Sequence, residues 1–182
     1  MTASAFTQRL AANDDRFDHK PFLATHRAMS VCAREITRVA DGVVRGAGAL
    51  HDGGVTDKPI VRQSPGRCIV ELSPVAITVT WLCPNLAFAE DGELLVIVWR
   101  GAVAPRGEHC PERAPAHRAP GTAIALWEQT LKPVAASETT WKWRAADVDP
   151  DGYSSIELAA HCVERLRLAY AECRVGDAAP ST

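Results

Sequence analysis

The spacing of apolar residues changes twice along this chain, and those changes limit its fold more than any other feature. Over residues 21–43 apolar side chains recur every three or four positions, which is typical of an amphipathic helix. Over residues 59–145 they recur every second position in short runs, which predicts strands. The helical spacing returns over residues 154–173. Because consecutive strands joined by short turns favour antiparallel pairing, the sequence predicts an α+β fold. That fold is an antiparallel β-meander of five to six strands, with an N-terminal helical segment and a C-terminal amphipathic helix packed on the sheet.

Local signals set the expected ends of the two helices. Proline is favourable at a first helical position, so we expect the first helix to begin at Pro21. Glycine commonly ends helices, and Gly46 and Gly48 are expected to do so here. Glu35 is expected to lie away from the apolar face of this helix. Ser154 and a glutamate three residues later have the spacing of a capping box, which predicts the start of the last helix.

The strands are predicted from alternation and from turn residues. They are expected at residues 59–63, 67–73, 75–83, 93–104, 122–131 and 138–145. The run 93–104 is apolar at most positions, which is typical of a central strand that is covered on both faces. We expect the C-terminal helix to cover one face and the N-terminal helix, or another molecule, to cover the second.

Length and composition favour one domain. The chain has 182 residues, of which 47% are apolar, enough for a single core. We expect a polar N-terminal segment at residues 1–20, in which a short helix can form, one α+β domain at 21–174, and a flexible tail at 175–182. Residues 105–121 are rich in proline and predict a long loop inside the domain.

Charge and hydropathy exclude several classes of protein. The net charge is −2 and the pI is about 6.3, which argues against a dedicated nucleic-acid binder. No apolar run has the length of a membrane span or the character of a secretion signal, so we expect a cytoplasmic protein with no membrane partner. The six cysteines form no CxxC pair, and reduced thiols are expected in that compartment.

The proline-rich loop holds the residue types that bind metals. His109, Cys110 and His117 lie within nine positions, and His161 with Cys83 could complete a ligand set. A catalytic alternative makes Cys110 a nucleophile with a histidine as base. The simpler interpretation is a solvated surface loop. The sequence identifies no cofactor.

Tryptophan is the second candidate feature. Alternation places Trp141 and Trp143 on one face of a strand and the cations Lys142 and Arg144 on the other, which favours two core indoles over a nucleic-acid platform. Several tryptophans on one sheet face could also form a surface for a ligand or a partner. The candidate residues for that surface are Trp99, Trp127, Trp141 and Trp143, with Arg106 and Arg113 from the loop.

Three functions follow as hypotheses. The favoured one is a non-enzymatic binding or accessory subunit that docks a protein partner, or a second copy of itself, through the sheet and helix surface or the 105–121 loop. The alternative is a small-ligand-binding domain with a pocket between the sheet and the C-terminal helix. The third is a metal-dependent or Cys/His-dependent enzyme that uses residues 108–117. The sequence favours binding over catalysis without deciding between them.

Overall fold

The computed structural model describes residues 19–84, 88–103, 123–145 and 152–177. It contains three α-helices and six strands in the expected order, which confirms the α+β class. In chain order they are α1 (His19–Leu23), α2 (His26–Asp52), β1 (Ile60–Ser64), β2 (Arg67–Leu72), β3 (Val75–Leu82), β4 (Glu93–Arg100), β5 (Ile124–Ala135), β6 (Trp141–Ala145) and α3 (Ser155–Asp177).

The six strands form one antiparallel sheet in sequence order, so the predicted meander is confirmed. A turn at Pro65-Gly66 joins β1 to β2, and Gly66 has a φ of 71°, which glycine adopts without strain. The predicted strand 93–104 ends earlier, at Arg100. The strand predicted at 122–131 extends further than expected, because β5 continues to Ala135 and pairs there with Trp141.

The N-terminal helical segment is broken in two at Thr25. The Thr25 hydroxyl accepts a hydrogen bond from the Ala28 N–H at 3.1 Å, and it donates one to the Phe22 carbonyl at 2.7 Å. The first bond caps α2 and satisfies one of its unpaired N–H groups. Pro21 therefore lies inside the short helix α1, and the long helix begins five residues later than predicted, at His26.

The expectation that Gly46 and Gly48 end the helix is wrong, since α2 runs through them to Asp52. A Cβ atom on Gly42 would lie 2.5 Å from the Ala159 Cβ of α3, and a Cβ on Gly46 would overlap the Val163 side chain. The two glycines are one helical turn apart on the same side of α2. They remove the side chains that would hold the two helices apart, so their role is close helix packing.

Both long helices pack on the same face of the sheet. Buried residues of α2 and α3 share one core cluster with Val70 of β2, Ile77 of β3 and Val98 of β4. The expectation that the N-terminal helix covers the second face is therefore wrong. Within the described ranges no helix crosses that face, although Ile97 there is only 9% exposed. The Trp99 indole N–H on the same face bonds to the Thr78 hydroxyl at 3.0 Å and shields it.

The capping box of the last helix is confirmed. The Glu157 carboxylate accepts from the Ser154 N–H at 2.8 Å, and the Ser154 hydroxyl accepts from the Glu157 N–H at 3.2 Å. Of the predicted segments, residues 1–18, 104–122 and 178–182 lie outside the described part of the chain. No helix in the described part is long and apolar enough to cross a membrane.

Candidate functional site

Strand β5 has two halves with different surroundings. Residues 131–135 pair with β6, and Leu131, which also pairs with β4, is fully buried. Residues 124–130 pair with β4 on one side, and no strand of the described chain pairs with their other side. Ile124 and Leu126 there are 59% and 43% exposed. We call residues 124–130 the open edge.

A β-bulge shapes the open edge. The register between β4 and β5 shifts between Val98 and Trp99, so that Trp127 lies opposite Val98 and Ala125 lies opposite Trp99. Leu126 is the extra residue. Bulges increase local twist and turn side chains outwards, which accounts for an exposed leucine within a strand.

An aromatic cluster lies beside the open edge, on the helix side of the sheet. The Trp127 and His161 rings meet edge to face with centroids 5.6 Å apart, and the Tyr153 ring stacks on His161 at 5.4 Å. The Arg165 guanidinium lies 5.2 Å from the centroid of the Trp127 ring, within cation–π range. Each of these side chains is at least partly exposed. We call these four residues the aromatic cluster.

The surroundings of His161 disfavour its charged form. Partial burial lowers the pKa of its imidazole below the ordinary value, and the nearby Arg165 cation lowers it further. Both effects disfavour the charged form of histidine. A neutral imidazole presents one hydrogen-bond donor and one acceptor, so it suits recognition of polar groups.

A buried polar network anchors the strand that closes the other half of β5. The Trp143 indole N–H bonds to the Ser155 hydroxyl at 3.0 Å, which donates to the Glu35 carboxylate at 2.8 Å. Arg38 binds both oxygens of that carboxylate, at 2.8 and 2.9 Å. Glu35 is only 3% exposed, so the expectation that it lies away from the buried face is wrong. The network ties β6 to both long helices.

The outer side of β6 is paired at its centre, at Trp143. Trp143 and Tyr153 exchange two backbone hydrogen bonds, at 2.7 and 2.8 Å, in an isolated antiparallel bridge. The chain after β6 therefore covers the outer side of that strand where it approaches α3. The open edge has no such bridge within the described residues.

Two adjoining clefts lie over the long helix α2. One has a volume of about 330 Å³ and separates α2 from the β1–β2 hairpin. The other is an open groove of about 470 Å³ along α2, lined by Arg34, Thr37, Arg38, Asp41 and Arg45. Thr37 and Asp41 line both, so the two clefts adjoin at these residues.

Four of the five described cysteines are free thiols within the core. Cys32, Cys68, Cys162 and Cys173 are buried. Burial raises the pKa of Cys68 to about 11 and that of Cys162 to about 12, and it also raises the pKa of Cys32. A buried neutral thiol packs as a small apolar group, so these residues belong to the core.

The tryptophans singled out from the sequence do not share one surface. Trp143 is fully buried and Trp141 is 5% exposed, and their rings meet edge to face on the helix side. Trp99 lies on the opposite face of the sheet. Only Trp127 borders the open edge. Arg106, Arg113, His109, Cys110 and His117 lie outside the described residues. Among those that are described, no three His, Cys, Asp or Glu side chains converge as metal ligands would.

Sequence reasoning missed the open edge and the role of Glu35. Alternation predicted the strand that contains Trp127, but the pairing partners of a strand depend on how far its neighbour extends. His161 was noted only as a possible ligand or base, while the structure surrounds it with aromatic rings.

Comparison with family models, with curated protein sequences and with solved structures gave no match. The α+β class and the surfaces described above therefore rest on this chain alone.

Proposed function

We propose that this chain is a non-enzymatic binding subunit that takes up an extended segment of a protein partner at the open edge. The observation that carries the proposal is a run of seven strand residues that, among the described parts of the chain, pair on one side only, with Ile124 and Leu126 exposed. An unpaired strand edge offers a row of N–H and C=O groups, and an added strand forms main-chain hydrogen bonds with them.

The composition of the open edge favours this use. Proteins protect unpaired edges with lysine, proline or inward-pointing charges. Residues 124–130 contain no lysine, arginine or proline, and Glu128 is their only charge. The edge strand β1 is better protected, since it has five residues, contains Arg62 and follows Pro59.

The aromatic cluster would supply side-chain recognition. A strand added to the open edge would place alternate side chains on the helix side of the sheet, over Trp127 and Arg165. Tryptophan, tyrosine and arginine are the residues that contribute most often to the energy of protein interfaces. Main-chain bonds would supply affinity, while this cluster would select the partner sequence.

The test is site-specific photo-crosslinking in the cells that make the protein. A photoreactive phenylalanine analogue is placed at Leu126 or, as a matched control, at Leu168 of α3; these leucines are 43% and 39% exposed. We expect one discrete adduct from position 126 and none from position 168. Adding Ile124→Lys should suppress the adduct, because a charge at a strand edge disfavours strand addition.

A discrete adduct at position 126 supports docking whatever its mass. An adduct of twice the chain mass identifies a second copy as the partner, and another mass identifies a different protein. The absence of an adduct at position 126, or equal adducts at both positions, would overturn the proposal.

A further inference from the structure

The exposed side of α2 carries a stripe of arginines. Residues 34, 38 and 45 lie within about 40° of one another around a helix of 3.6 residues per turn. They span about 16 Å along the helix axis at 1.5 Å per residue. All three line the open groove of about 470 Å³ together with Thr37 and Asp41. The sequence therefore places three guanidinium groups along one groove.

The charges of this groove are only partly balanced. Glu35 lies beneath it and binds Arg38 at 2.8 Å, with Arg34 3.6 Å away. The Asp41 carboxylate accepts a hydrogen bond from the Gln63 amide at 3.3 Å. Arg45 has no ion-pair partner among the described residues. Three cations thus face two carboxylates, one of which is buried and turned away from solvent.

The adjoining cleft of about 330 Å³ has a different character. Its inner wall is apolar, with Ile36 and Ala40 from α2 and Val79 from β3. Its rim is polar and includes Gln63 and Ser64 of the β1–β2 hairpin. Because Thr37 and Asp41 border both spaces, the apolar wall of one cleft lies next to the arginines of the other.

We infer that the two joined clefts bind one amphipathic organic anion. Its phosphate, sulfonate or carboxylate group lies against Arg38 and Arg45, and its apolar body fills the cleft between α2 and the hairpin. Guanidinium groups form paired, charge-assisted hydrogen bonds with such oxyanions. Pockets for small ligands commonly combine an apolar wall with a few polar groups that fix orientation. This site lies on the N-terminal helix, apart from the open edge, and does not depend on the proposed docking function.

The test uses 8-anilinonaphthalene-1-sulfonate, an aromatic sulfonate whose fluorescence rises when its apolar part leaves water. We expect saturable binding of one probe per chain. Thr37→Trp places a bulky side chain where the two clefts meet. It should weaken probe binding by about tenfold, because the apolar part of the probe loses contact with the cleft wall. Arg45→Gln should weaken it by about threefold, as expected for one exposed ion pair.

The control variants separate the site from general effects. Arg167→Gln on α3 removes the same charge from an exposed, distant position and should leave probe affinity unchanged. Leu126→Lys at the open edge should also leave it unchanged, which distinguishes this inference from the docking proposal. Circular dichroism of each variant confirms that the chain is folded.

Three results would overturn the inference. The first is the absence of saturable binding to the folded wild-type chain. The second is equal affinity in the wild type, Thr37→Trp and Arg45→Gln, and the third is an equal loss in Arg45→Gln and Arg167→Gln. Either of the last two would assign the binding to the general surface of the protein.

Discussion

The two halves of β5 belong to one strand but differ in their neighbours and in the exposure of their apolar side chains. Residues 131–135 pair with β6, Leu131 pairs with β4 as well, and Leu131 and Ala135 belong to the core cluster beneath the helices. In residues 124–130 the described chain supplies β4 alone, and apolar side chains are exposed. The difference arises because β5 has twelve residues and β6 has only five.

That comparison separates apolar residues that serve the core from those left available to a partner. Leu131 and Leu126 are chemically identical, but one is fully buried and the other is 43% exposed. Burial of a leucine side chain contributes roughly 2 kcal/mol. Leu131 makes this contribution when the chain folds, whereas Leu126 would make it only when a partner covers it.

The largest expected effect is a loss of stability at residues 131–135, the half of β5 that pairs with β6. Leu131→Ala should lower the free energy of unfolding by about 3 kcal/mol, because it removes buried methyl groups and leaves a cavity. Leu126→Ala should change it by less than about 0.5 kcal/mol. Urea denaturation of both variants measures the contrast. Similar losses in the two variants would show that the halves do not differ in the way described.

The next effect concerns what holds β6 in place. Glu35→Ala should lower the free energy of unfolding by about 2 kcal/mol, because the Ser155 hydroxyl loses its buried acceptor. Arg38 is half-exposed and regains water, which limits the loss. Glu164→Ala removes the exposed pair with Arg167 and is the matched control, expected to cost less than about 0.5 kcal/mol. Equal losses of unfolding free energy in the two variants would show that the buried network stabilises the fold no more than an exposed ion pair does.

The smallest expected effect is a pH dependence of stability that arises from His161, beside the open edge. The folded chain holds the pKa of His161 below its ordinary value of 6.5, so the unfolded chain takes up this proton first as pH falls. Stability is therefore lost as pH falls through 6.5 and on towards the lower folded pKa. His161→Gln should flatten the fall in unfolding midpoint over this range, while His26→Gln at an exposed position should not. A wild-type midpoint that rises as pH falls, or one that the two variants change alike, would contradict the cluster's effect on His161.

The parts of the fold that were predictable from the sequence depend on local pattern. The capping box needs only residues 154–157, and the alternation that defines the strands needs only their own side chains. Class, meander and both long helices followed from such signals.

The errors arose where distant parts of the chain meet. Ser155, which binds the Glu35 carboxylate, is 120 residues away in sequence, so nothing near Glu35 indicated its burial. Gly46 resembles a helix terminator locally, but its role is set by Val163 on another helix. The open edge was equally hidden, because the sequence predicted strands of similar length for β5 and β6.

Hydrogen exchange along β5 tests the central claim most directly. Antiparallel pairing with β4 protects only alternate amides of residues 124–130, because no described strand pairs with their other side, whereas Leu131 lies between two paired strands and residues 132–135 pair with β6. In the isolated chain we predict fast exchange at every second amide of residues 124–130, and slow exchange at Leu131 and at those amides of residues 132–135 that bond to β6. Uniform slow exchange across both halves would mean that the outer side of the open edge is already paired, and would contradict the account.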